Sequence, residues 1–100
     1  MSSIRMVNIP KYLEYPYNLA YAVTYTDMHR FPNVNKVVED FLSNTLSKEQ
    51  EEVIKLRFQE QLTYKQISKI CNSYPTAIKK IEKQAFQIMK THSNQLISEA

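Results

Sequence analysis

Thr76, Lys79, Lys80 and Lys83 fall on one side of a helical pattern, while Ile78, Ile81, Ala85 and Ile88 fall on the other. Ammonium groups spread along a helix face pair with phosphates, and short polar side chains among them can reach base edges in a groove. The chemistry on offer is binding, not catalysis. His29 and His92 are far apart in sequence, which sets aside an acid–base pair or a histidine metal site. Cys71 is the single cysteine, so an internal disulfide and a cysteine-based zinc site are excluded, and a small core residue is expected there. No catalytic residue, metal or cofactor is assigned, and the chain is not expected to be an enzyme.

The chain has 100 residues, 43% of them apolar, which suffices for one small core. It contains no glycine. Phosphate-cradling loops and tight hairpins depend on glycine for positive φ, so Walker and Rossmann loops are excluded and β-rich folds are disfavoured. An all-α fold is expected: a compact helical domain with a C-terminal helix-turn-helix and an N-terminal tyrosine-rich arm. No leader-like or membrane-spanning apolar run is visible, and the expectation is a soluble, cytoplasmic chain. The net charge of +3 is unevenly spread. Counting basic minus acidic residues gives 3 − 2 = +1 for residues 1–32, 4 − 6 = −2 for 33–62 and 6 − 2 = +4 for 63–100. Positive charge therefore collects on the segment that carries the lysine face.

The elements that must hold this face can be read from periodicity and capping. Val34, Val37, Val38, Phe41 and Leu42 make one apolar stripe over residues 33–46. Ser47 with Gln50 forms a capping box, and Glu49, Glu51 and Glu52 crowd the positive end of a helix over about 48–60 that buries Val53, Ile54 and Leu56 or Phe58. Thr63 with Gln66 opens a short helix whose inward face is expected to be Ile67, Ile70 and Cys71. Asn72, Ser73 and Tyr74 interrupt it, and Pro75 suits the first turn of a longer helix running to about Lys90. A helix-turn-helix needs Ile67 and Ile78 to meet across the corner, with a small residue, Ser68, where the helices approach most closely. Residues 92–100 read as a polar tail that frays, although Leu96 and Ile97 could dock.

Residues 1–32 support two conformations. From Leu13 to Tyr25 every odd position is Leu, Tyr or Val, as in a half-buried strand. Tyr17, Tyr21 and Tyr25 also sit four apart with Ala20 and Ala22 between them, as in a helix, which is slightly favoured here. The tyrosines suit an interface, and a homodimer through this arm stays open.

The runs LSKEQEEVIKLRF, LTYKQISKI and AIKKIEKQAF resemble the fourth conserved region of bacterial RNA polymerase sigma factors, over about residues 35–90. The resemblance rests on Leu46, Glu51 (one place displaced), Val53, Ile54, Leu56, Arg57 and Phe58, then Thr63, then Ile78, Ile81, Glu82 and Ala85. It implies double-stranded DNA and RNA polymerase as partners. Arg57, Thr63, Tyr64 and Lys65 would lie against the phosphate backbone. Pro75, Thr76, Lys79 and Lys80 would face base edges of a promoter −35 element, and Lys83 or Gln84 would reach a flanking phosphate. The helix near 35–44 and its neighbour would meet the polymerase β-flap.

The chain departs from the family where the family reads bases. Pro75 and Thr76 replace Arg and Glu, and Lys79 and Lys80 replace Arg and Gln, so bidentate recognition is lost. Asn72 replaces the turn glycine, which asparagine can do because it tolerates the left-handed conformation. Ser73 stands in an apolar turn position whose gap Tyr74 is expected to fill. The expected function is a bacterial or phage transcription regulator with salt-sensitive DNA binding. The alternative is an adaptor that binds polymerase, a sigma factor or itself without reading DNA.

Overall fold

The computed structural model describes residues 9–100, and the first eight residues of the chain, Arg5 among them, lie outside the described residues. Among the described residues six helices follow one another: α1 (Tyr17–Thr24), α2 (Val34–Thr45), α3 (Lys48–Phe58), α4 (Tyr64–Ile70), α5 (Pro75–Thr91) and α6 (Ser93–Glu99). No strand occurs among the described residues. The all-helical expectation holds, and α2 to α5 begin and end within two residues of the periodicity-based bounds.

Helix α5 is the central element: α1, α3, α4 and α6 all pack on it. Its inward arc is Ile78, Glu82, Ala85, Phe86 and Met89, which recur at helical spacing. The expected stripe of Ile78, Ile81, Ala85 and Ile88 is thus rotated slightly, with Ile81 and Ile88 only half-buried and Phe86 and Met89 fully enclosed. Ser47 and Thr63 each accept from the backbone N–H three residues on, and Gln50 and Gln66 accept in return from the cap residues' own N–H groups. Both expected capping boxes are present.

The described part of the tyrosine-rich N-terminal arm, residues 9–32, packs on the rest of the domain. Residues Tyr17–Thr24 form a helix, which decides against the strand, and its buried residues Leu19, Ala20, Ala22 and Val23 follow the helical period instead of the odd–even one. They join Val38, Leu42, Phe58, Phe86 and Met89 in the main core. Asn18 is buried with them and donates its amide Nδ2–H to the Phe58 carbonyl at 3.2 Å, tying α1 to the end of α3. Three tyrosines of this segment make side-chain hydrogen bonds within the chain. Tyr12 donates to Asp27 at 2.7 Å, Tyr15 donates to Glu39 at 2.8 Å, and Lys90 donates to the Tyr25 hydroxyl at 2.7 Å.

The C-terminal tail also differs from its expectation. Residues Ser93–Glu99 form α6 and Leu96 is buried in the main core. Leu96 is the one fully buried residue of a helix that packs against α1 and α2, with Ile97 half-buried beside it and the rest of α6 polar. On the short α4, Ile70 is 56% exposed and does not belong to the inward face. Tyr64, Ile67, Ser68 and Cys71 define that face, and at 3.6 residues per turn Ile70 falls about a third of a turn outside it.

Candidate nucleic-acid interface

The helix-turn-helix is assembled from its caps inward. The Thr63 hydroxyl accepts from Gln66 N at 3.1 Å and Gln66 Oε1 accepts from Thr63 N at 2.8 Å, which fixes where α4 starts. Ile67 then meets Val53 and Ile78 in a second, smaller hydrophobic cluster at the corner. Ser68, buried as expected of the small residue at the closest approach, satisfies its hydroxyl by donating to the Lys65 carbonyl at 2.7 Å. The chain leaves α4 through Asn72, whose φ of 53° is the left-handed conformation expected of it. Ser73 N–H donates back to the Ser68 carbonyl at 2.8 Å, and Pro75 opens α5.

Behind the corner lies a buried polar tie. The Glu82 carboxylate on α5 accepts from Arg57 Nε on α3 at 3.3 Å and from the Tyr64 hydroxyl on α4 at 2.6 Å. Arg57 also donates through Nη1 to the Leu62 carbonyl at 2.9 Å, and its guanidinium lies 4.3 Å from the centre of the Tyr64 ring. One carboxylate therefore locks three helices. Burial pushes the Tyr64 hydroxyl above the usual tyrosine range, and the hydrogen bond to Glu82 adds to this, so the phenol stays protonated and donating at neutral pH.

Seen from solvent, the same unit is cationic. Thr76, Lys79, Lys80, Lys83 and Gln84 are exposed on α5, opposite the arc of Ile78, Ala85 and Met89, and Lys65 and Lys69 are exposed on α4. The Lys79 ammonium sits 5.3 Å from the Tyr64 ring centre, so the start of α4 and the lysine face of α5 adjoin. Thr63 and Pro75 are exposed as well. Arg57 and Tyr64 are half-buried, and the structure engages both in the internal tie. Sequence reasoning placed Glu82 only as part of a motif. Its role as the hub of the tie depends on partners 18 and 25 residues away, which no local pattern signals. Tyr74 does not fill the turn: 75% of it is exposed.

Residues 44–91 match the family model described as Sigma-70, region 4. This segment is similar to sigma region 4 domains, and α4 and α5 within it form a helix-turn-helix. The match begins at the end of α2, so most of that helix, together with α1 and α6, lies outside it. The family is one of DNA-binding regulatory domains. No curated protein and no solved structure matches the chain. No helix among the described residues is long and apolar enough to cross a membrane.

Proposed function

We propose that the protein is a cytoplasmic DNA-binding transcription regulator that lays α5 in the major groove of promoter DNA. Thr63 and Lys65 meet the phosphate backbone from the start of α4, with Arg57 and Tyr64 holding that end in place and contributing their remaining edges. Pro75, Thr76, Lys79 and Lys80 face the bases, and Lys83 or Gln84 reaches a flanking phosphate. RNA polymerase meets a different surface, formed by α2 and the first turns of α3, where Glu49 and Glu52 are exposed. The observation that carries this reading is the exposed row of Lys79, Lys80 and Lys83 on the second helix of a region 4 domain. Compact ammonium groups favour phosphate contacts over bidentate base recognition, so affinity exceeds specificity. The test is retardation of short duplexes by wild type and by Lys79→Glu with Lys80→Glu. Both lysines are exposed, so the variant is expected to keep its helical circular dichroism and lose retardation; retention of retardation by the folded variant refutes the reading.

A second reading draws on Pro75 and Thr76, which supply neither of the charged readers typical of the family. In it the protein is an adaptor that binds polymerase or a sigma factor without reading DNA. Capture of polymerase by a protein that retards no duplex at low salt is the outcome that selects it.

A further inference from the structure

The row of lysines begins only at Lys79: residues 71–78 carry no charged side chain. At the leading tip of this stretch the Tyr74 ring is 75% exposed, and Pro75 and Thr76 beside it are exposed too. The ring stands on a fixed base. Ser73 N–H is bonded to the Ser68 carbonyl at 2.8 Å on one side, and the Tyr74 carbonyl accepts from Ile78 N–H at 3.0 Å on the other. Tyr74 makes no side-chain cap to α5, so its position there is not explained by the helix start, where serine or threonine serves better. An exposed aromatic ring on a hydrogen-bonded backbone, a proline ring and a threonine methyl thus lead, with the cationic face behind them. Base edges in the major groove offer one apolar group, the C5-methyl of thymine.

We propose that Tyr74, Pro75 and Thr76 form an apolar tip that recognises thymine methyl groups, giving the protein a preference for T-bearing sites in place of arginine-to-guanine recognition. The proposal rests on the reading of α5 as the groove helix and adds the base chemistry that the helix selects. The experiment uses duplexes that the full-length protein selects from a random-sequence pool at low salt, resynthesised with deoxyuridine for every thymidine. That exchange removes only the methyl groups. Wild type is expected to bind the uracil form about fourfold more weakly for each methyl contacted. Tyr74→Ala and Thr76→Ser, both at exposed positions, are expected to narrow the thymine-to-uracil ratio, Tyr74→Ala nearly to one, while the dependence of binding on salt stays as in wild type. Equal binding of both duplex forms by wild type overturns the apolar tip and leaves DNA binding intact. A thymine preference unchanged in Tyr74→Ala also overturns it. Failure of the folded protein to bind any duplex removes the groove reading itself, and this proposal with it.

Discussion

Behind α5, side chains from four helices join Phe86 and Met89 in one core: Leu19 and Val23 from α1, Val38 and Leu42 from α2, Ile54 and Phe58 from α3, and Leu96 from α6. In front, at the helix-turn-helix corner, the fully enclosed apolar residues are Val53, Ile67 and Ile78, and the remainder of the packing comes from half-buried neighbours such as Leu56 and Ile81. The rear core has the apolar area from which stability comes. The corner has little of it, since α4 is seven residues long and must leave its outer side to solvent. What the corner has instead is the Glu82 carboxylate, bonded to Arg57 and Tyr64. Apolar contacts are non-directional, whereas two hydrogen bonds to one carboxylate fix the setting of α4 and α5 about each other. The rear therefore supplies most of the folding free energy, and the corner sets geometry.

Truncation in the rear gives the largest expected effect. Phe86→Ala should cost about 3–5 kcal/mol, and Leu19→Ala about 2–5 kcal/mol, measured by urea denaturation followed by circular dichroism. For a domain whose total stability is of order 5–15 kcal/mol, either loss is a large part of the whole. Leu19→Ala is the more informative variant, because it lies outside the region 4 match. A change as small as that of a surface substitution would show that α1 is an appendage after all.

The corner tie comes next. Glu82→Gln should cost about 2 kcal/mol, the loss of charge-assisted hydrogen bonds at a buried site. Combined with Tyr64→Phe in a double-mutant cycle, it should show a coupling of about 1 kcal/mol, since both variants break the same bond. Additive effects would mean that the tie is not the unit the geometry implies. DNA retardation by Glu82→Gln should weaken at temperatures where the protein is still fully folded, which no variant of the rear core should reproduce.

Smallest is the contribution of Glu39, a carboxylate at the seam between α2, α3 and the N-terminal segment. Burial raises its affinity for a proton, but hydrogen bonds from Lys55 at 2.7 Å and Tyr15 at 2.8 Å outweigh burial and hold it below the usual glutamate range. A carboxyl group whose folded pKa is depressed stabilises the fold above its unfolded pKa and loses that contribution as pH falls through the folded value. Because the pair is partly solvent-exposed, the effect is below about 1 kcal/mol. Wild type should therefore exceed Glu39→Gln in stability at pH 7, and the difference should shrink as pH falls through the depressed folded value. A difference that persists in acid would assign it to packing.

The same contrast explains what was legible in the sequence. The corner was readable because its signals are local: Ser47 with Gln50, Thr63 with Gln66, Asn72 in the turn and Pro75 at the helix start each act within a few residues. The lysine face was readable for the same reason, since exposure on α5 follows from its period. The rear core was only half legible. The odd–even run from Leu13 to Tyr25 fits two periods at once, and the helix found there packs on partners far along the chain, such as Phe58, which accepts from Asn18 40 residues away. Leu96 and Ile97 were too few to mark α6 as structured, although Leu96 is enclosed by elements from the opposite end of the chain. The hub role of Glu82 and the outward setting of Tyr74 are tertiary facts that no window of sequence contains.

The central claim is that the lysine face of α5 docks on duplex DNA, and a salt titration of binding to a short duplex tests it most directly. With Lys65 and Lys83 on phosphates and Lys79 and Lys80 at base edges, the logarithm of the association constant should fall with the logarithm of salt concentration at a slope of about −2, and alanine at Lys65 or Lys83 should each reduce that slope by about 0.9. Binding that ignores salt, or a slope untouched by those substitutions, would contradict the account.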